Sequence, residues 1–260
     1  MAQSDGNGGG LTETVKTVVY ALLIAGIFRT LFFQPFYIPS GSMKDTLLIG
    51  DFIFVNKMAY GYSRYSCPFA ACPISGRILG HAPERGDVVV FRHPGSGNDF
   101  IKRLIGLPGD TVQMKDGVVY INGTAAPQTD AGFFEEVYEP QGGEGRPPSC
   151  MNGPLQDGDL CKSERKIETL PNGVKHDVLN IGTLPQDNTD VFNVPAGHYF
   201  FMGDNRDNSE DSRFAPPSGV GMLPAEYLIG RADRIMFSSA GKSLFYFWTW
   251  RPDRFFKAVN

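Results

Sequence analysis

The sequence predicts a mostly β protein carried behind one amino-terminal membrane helix, and three observations lead there. Short runs of Val, Ile and Phe bounded by Gly, Pro and Asp recur from residue 51 onward. Gly (31) and Pro (19) exceed their usual share of roughly 12% combined without any collagen period, so many turns must join short elements. The longest apolar stretch lies between residues 15 and 33, ahead of all of them.

That stretch, VKTVVYALLIAGIFRTLFF, spans about 28 Å as a helix, close to the roughly 30 Å hydrocarbon core of a bilayer. Lys16 sits at its edge, and Arg29 is near enough to the other end to reach the headgroups. A buried core helix and a cleaved leader are the competing readings. A leader needs small residues at −3 and −1 after the apolar run, and Phe32, Phe33, Gln34 and Pro35 supply none. Residues 15–34 are therefore expected to be an uncleaved transmembrane anchor behind a polar tail, residues 1–14. Positive charge does not decide its orientation, with Lys16 on one flank and Lys44 on the other.

Next come DFIFVNKM from residue 51, GDVVVFRH from 86 and DFIKRLIGL from 99, each a strand by its β-branched content. VQMKDGVVYING reads as a hairpin turning at Asp116-Gly117. The pattern dissolves between 124 and 190 and returns at VFNVPAGHYFFMGD from residue 191. The expected organisation is a β core made of residues 35–123 and 191–260. It is interrupted by a loop insertion at 60–83 and a cap subdomain of loops and short strands at 124–190. The aromatic tail LFYFWTWRPDRFF, residues 244–256, suits either a membrane-interface contact or a final core strand. Arg251, Pro252, Asp253 and Arg254 exclude a second span.

Charge and cysteine usage narrow the class. With 24 Lys+Arg against 28 Asp+Glu the chain is net −4, which excludes a generally basic nucleic-acid binder. Cys67, Cys72, Cys150 and Cys161 allow three connectivities; pairing 67 with 72 and 150 with 161 closes the shortest loops and would place the domain in an oxidising compartment. The spacings do not suit zinc.

Most familiar catalytic motifs are absent: no GxSxG elbow, no HExxH helix, no Walker A loop. Ser163 to Lys166 matches SxxK but lies in a charged run that reads as solvated surface. Asp204 to Asp211 lacks the central Gly of a calcium loop and has Arg206 where a ligand is needed. His81, His93, His176 and His198 share no ligand spacing and read as surface or turn residues. No cofactor and no metal are expected.

A serine, a lysine and an acidic, Asn-rich turn remain. Ile38-Pro39-Ser40-Gly41-Ser42-Met43 follows the anchor; Phe100-Ile101-Lys102-Arg103 leads into Gly106-Leu107-Pro108-Gly109-Asp110; GDNRDNSEDSR runs from Gly203 to Arg213. In this order the three resemble bacterial type I signal peptidase, over roughly residues 18–57, 86–122 and 194–238. The family pattern usually has Pro where this chain has Asp45. The resemblance implies antiparallel sheets forming a partly open, coiled, barrel-like catalytic domain. It also implies a Ser/Lys dyad in which Ser42 attacks and Lys102 takes the hydroxyl proton. Further roles follow from it: the Ser42 N–H and the Ser40 hydroxyl hold the oxyanion, Ser209 orients Lys102, and Asp211 with Arg213 forms a supporting ion pair. Gly203 lets the chain pass behind the dyad, and Ile38, Pro39, Met43, Leu47 and Ile101 line the substrate pockets. Expected partners are preproteins bearing signal peptides, the lipid bilayer and the translocation machinery, with no nucleic acid. The site lies nine residues beyond Phe33, so the amino terminus is expected in the cytoplasm and the catalytic domain in the periplasm, on the inner membrane.

The residues themselves suit this chemistry, although a strand lysine more often snorkels from a sheet edge and it is the Pro39–Met43 context behind the anchor that reverses that preference. A serine hydroxyl needs a positioned base, and alternation in the strand from Phe100 puts Lys102 on the face of Phe100 and Leu104. That apolar setting lowers an ammonium pKa from about 10.4. Two other readings stay open: a Ser/Lys peptidase dedicated to one partner, such as a conjugation-system maturase, and a non-catalytic anchored domain that binds extended peptides. A self-cleaving repressor is disfavoured by the anchor and by the lack of a DNA-binding helix pair.

Overall fold

A computed structural model describes residues 9–67, 70–143, 145–241 and 245–259. Helix α1 (Gly9–Leu31) has 23 residues, about 35 Å at 1.5 Å per residue. Residues 10–31 have a mean hydropathy of 1.6, and the apolar window packs against no part of the protein's own core. The helix stops short of the expected anchor end: Phe33 and Gln34 open strand β1 (Phe33–Tyr37). The apolar run continues across the change, so hydrophobicity does not mark it. Pro35 does, because a residue before proline is pushed towards extended backbone. Tyr62 donates its hydroxyl to the Leu31 carbonyl at 2.6 Å, tying the helix end to the domain.

The domain is mostly β. Its main sheet has seven antiparallel strands and curls into an open half-barrel, in the order β1, β2 (Asp51–Asn56), β16 (Leu228–Ser238), β5 (Val88–Arg92), β6 (Asp99–Gly106), β14 (His198–Met202) and β15 (Leu223–Pro224). In β2, buried and half-buried residues alternate, with Asp51, Ile53 and Val55 inside, as expected where one sheet face meets a core. Ile38, Met43, Leu47, Ile53, Val55, Val90 and Ile235 fill one core cluster; Val89, Phe91, Leu104 and Phe201 fill another.

A four-stranded sheet, β13 (Phe192–Asn193), β7 (Thr111–Lys115), β8 (Val118–Ile121) and β9 (Thr124–Ala125), covers a third cluster around Ile105, Val119 and Phe200. Its hairpin turns at Asp116 and Gly117, both at positive φ, the conformation that a two-residue primed turn requires. Segment 60–83 contributes the pair β3 (Tyr62–Ser63) and β4 (Arg77–Ile78) and a 3-10 turn at Arg64–Ser66. Segment 124–190 is more regular than expected: β10 (Gln128–Val137), β11 (Leu160–Thr169) and β12 (Lys175–Asn180) form a three-stranded antiparallel sheet. The disulfides join Cys67 to Cys72 and Cys150 to Cys161.

Two expectations need correction here. The Ser163–Lys166 run is not fully solvated, because strand β11 turns Ser163 inward. His93 and His176 are buried rather than superficial. His93 organises the β5–β6 turn, where its ring accepts from Ser96 N–H and bonds the Gly219 carbonyl. His176 lies on β12 between Glu168 and Asp204.

The aromatic tail forms no core strand among its described residues. Phe245, Phe247 and Trp248 stand exposed, whereas Trp250 meets Phe237 edge-on and Phe255 packs tilted against it. Arg254 pairs with Asp51 at 2.6 Å, and Arg251 donates to the Ile49 carbonyl, so the interrupting arginines fasten the tail beneath the 38–50 loop. Rings also run from the anchor onto the sheet: Phe28 touches Phe33, and Phe33 touches Phe54. Further along, Tyr37 meets Phe52, which meets Phe237.

Candidate active site

Between β1 and β2 the chain folds into a loop closed at its base by Ile38 N–H to Asp51 O and Gly50 N–H to Ile38 O. Gly50 is needed there: its φ is +94°, and a Cβ would run into the Ser239 carbonyl. Met43 and Leu47 anchor the loop in the core and leave Ser42 at the edge of a groove of about 960 Å³.

The groove has two strand edges. β1 is the end strand of the sheet. On β6, residues 99–102 pair with β5, but β14 pairs only with Arg103, Leu104 and Gly106, so the other edge of 99–102 has no strand beside it among the described residues. Ile53 and Val90 form the floor, and Ile38, Pro39, Ser40, Ile101 and Lys102 line the walls.

Lys102 and Ser42 meet in this groove, Nζ to Oγ at 2.6 Å, with 4% and 7% of each residue exposed. Lys102 Nζ also lies 5.6 Å from the Phe100 ring centroid. Burial lowers the Lys102 pKa from 10.5 to about 8, against the opposing charges of Asp211, Asp204 and Glu210. A lysine neutral near that pH is a competent base for a serine hydroxyl.

The turn after β14 supplies the back of the site. Asn205 donates its backbone N–H to Ser42 O at 3.1 Å and its side chain to Gly41 O at 3.0 Å. Gly203 passes so close that a Cβ would collide with Ser209 and lie 2.5 Å from the Ser42 carbonyl oxygen. Asp211 accepts from Gly203 N–H at 3.0 Å and from Arg213 Nε and Nη2, both at 2.9 Å. Burial works to raise the Asp211 pKa, but the Arg213 guanidinium holds it below the usual carboxylate value.

Placement differs from expectation at three residues. Met43 and Leu47 are 1% and 0% exposed and lie behind the groove rather than on it, because the loop needs both as core anchors. Ser209 lines the groove, but among the described residues no hydrogen bond joins its buried hydroxyl to Lys102. Ser40 is exposed beside Ser42.

Sequence reasoning missed the support under the Ser42–Lys102 contact. Arg103 is wholly buried and binds Asp204 through Nε at 2.8 Å and Nη2 at 2.7 Å. Asp204 also accepts from Thr46 Oγ1 at 2.5 Å, joining the 38–50 loop to the turn. Beneath it, Arg206 grips Glu168 with two hydrogen bonds. Arg103 alternates with Lys102 and so points to the opposite side of β6, which was the available signal.

The family model described as "Signal peptidase, peptidase S26" matches residues 11–237. The chain belongs to the S26 signal peptidase family. Among curated relatives, signal peptidase I of Rickettsia prowazekii is 41% identical over 244 residues, covering 87% of this chain and 82% of the relative. That of Rickettsia canadensis is 42% identical over 237 residues, covering 86% and 79%. A crystal structure of a signal peptidase I from Enterococcus faecalis is 27% identical and covers 58% of this chain and 97% of that one, with a TM-score of 0.31. As an S26 signal peptidase the protein is a peptidase that removes signal peptides, and its apolar amino-terminal helix suits a membrane-anchored member of the family.

Proposed function

We propose that this signal peptidase cleaves exported preproteins after small residues of the Ala-x-Ala type through a Ser42/Lys102 dyad and an acyl-enzyme. The observation that carries the reading is the buried 2.6 Å contact between Lys102 Nζ and Ser42 Oγ. Ser42 Oγ attacks the scissile carbonyl while Lys102 accepts its proton, then passes that proton to the leaving amine. Lys102, neutral again, takes a proton from the water that attacks the ester and returns it to Ser42 Oγ as the acyl carbon–oxygen bond breaks, releasing the acid and restoring both side chains. The Ser42 N–H and the Ser40 hydroxyl, from two residues that line the groove, hold the oxyanion. Asp211 and Arg213 brace the turn, Gly203 admits it close behind Ser42, and Ser209 shares the pocket with Lys102.

An extended substrate pairs with the open edges of β1 and β6, a strand-addition mode of binding. Ile38, Pro39 and Ile101 leave shallow apolar space above Ile53 and Val90, which favours small side chains at −3 and −1. Helix α1 spans the inner membrane with its amino terminus in the cytoplasm, and the two disulfides suit a periplasmic domain. Exposed Phe245, Phe247 and Trp248 rest at the bilayer interface.

The test is cleavage of an Ala-x-Ala preprotein in detergent, with the new amino terminus mapped by mass spectrometry. Ser42→Ala and Lys102→Met are each expected to abolish the cut while the protein stays folded; retained cleavage in either overturns the dyad.

A further inference from the structure

We propose that the 124–190 segment positions the nucleophile: Glu136 and Arg165 hold the two side chains at 44 and 45 and, through them, set the orientation of Ser42. The inference rests on the dyad proposed above and adds positioning residues that lie outside the three stretches of family resemblance.

Lys44 follows Ser42 by two residues and is 4% exposed. Its ammonium donates to both Glu136 carboxylate oxygens at 2.7 Å and to Gln141 Oε1 at 2.9 Å. Gln141 Nε2 in turn donates to Glu136 at 2.8 Å, closing a ring of three side chains. The Lys44 stem lies against Gly41, where a Cβ would come within 3.1 Å of Lys44 Cε. Fixing the ammonium therefore fixes the side chain that packs beneath the Gly41–Ser42 peptide.

Asp45 makes the second contact. Its carboxylate accepts from Arg165 Nη1 at 3.2 Å. Arg165 is itself aimed by the Ala131 carbonyl, which accepts from Nη2 at 3.0 Å in the bulge of β10, with Asp177 3.9 Å away. Position 45 is where the family usually has proline, so this partner belongs to the chain's own departure from the pattern. Two consecutive residues of opposite charge thus reach opposite partners on adjacent strands. Two such contacts resist rotation of the loop, whereas one would act as a pivot. The Asp45–Arg165 pair is partly exposed and adds little stability, so its contribution is directional. The Cys150–Cys161 disulfide stiffens the frame, because Cys161 lies opposite Glu136 in the β10–β11 register.

The experiment uses the full-length enzyme in detergent with an Ala-x-Ala preprotein and compares Glu136→Gln, Asp45→Asn and Arg165→Gln with the exchanged pair Asp45→Arg plus Arg165→Asp. Each single change is expected to lower kcat on the order of 10-fold, the scale of a small misplacement of reacting atoms. KM should stay within about twofold and the acid limb of kcat/KM unmoved, since neither groove nor base is altered. The exchanged pair should recover most of the lost kcat. Folded single variants with wild-type kcat, losses confined to KM, or an exchanged pair no better than the singles overturn the proposal. If Glu136→Gln fails to fold, the partly exposed 45/165 series decides alone. A wild-type enzyme that does not cut the preprotein, or a Ser42→Ala variant that does, overturns the dyad reading instead.

Discussion

Lys102 Nζ and Ser42 Oγ are 2.6 Å apart with almost no solvent access to either. Desolvation makes the pair usable near neutral pH, because it penalises the ammonium form of Lys102 and leaves a populated free amine.

The pH profile should carry that signature. Expected is a rise in kcat/KM through an apparent pKa of about 8, the value to which burial brings Lys102. Initial rates of preprotein cleavage between pH 5 and pH 10 check it; a limb near 6.5 would instead implicate a histidine.

Stability should show the same group with a defined sign. Lys102 titrates near 10.5 when unfolded and near 8 when folded, so between those values the unfolded chain binds more protons and stability rises with pH. Below pH 8 the full penalty applies, on the order of 3 kcal/mol. Lys102→Met should therefore unfold at a higher temperature than wild type at pH 7, and the gap should close towards pH 10.5. Thermal melts across that range measure the difference.

Gly203→Ala should impair catalysis through the nucleophile's backbone. The added methyl meets Ser209 and the Ser42 carbonyl oxygen, and the latter cannot move alone. Displacement of Ser42 by about 1 Å is expected to lower kcat on the order of 100-fold. Single-turnover rates separate this loss from any weakening of substrate binding.

Removing the carboxylate that faces Arg103 should cost stability. Asp204→Ala leaves a fully buried guanidinium without its bidentate partner and frees Thr46. A loss of about 3–5 kcal/mol is expected, read as a lower melting temperature against wild type.

The tail can be followed directly, because Trp248 and Trp250 are the protein's two tryptophans. In vesicles containing brominated lipid, emission from a Trp250→Phe variant should be quenched, placing Trp248 at the interface. Unquenched emission would remove the tail from the membrane.

The strands of the main sheet were legible because 51–56, 88–92 and 99–106 are compact β-branched runs, and the nearness of Ser42 to Lys102 because their motifs adjoin such strands. The sheet at 124–190 was less so. Charged LCKSERKIET turns Cys161 and Ser163 inward on one face and Glu168 inward on the other, and Glu168 is held there by the distant Arg206 rather than by apolar neighbours. Met43 and Leu47 illustrate a related limit: an apolar residue near a nucleophile reads equally as pocket wall or as core, and only the closed loop decides between them. Arg103 looked like an ordinary strand charge because Asp204 lies about a hundred residues away.

The junction of α1 and β1 leaves a single residue, Phe32, between helix and sheet, and it is clamped from both sides: its N–H donates to Phe28 O and its carbonyl accepts from Lys57 N–H. A junction without slack works as a ruler. With the anchoring and nucleophile proposed above, the height of Ser42 over the bilayer is set by the length of β1 and its following turn, and the cut would be measured from the membrane surface as well as from the side chains that are read.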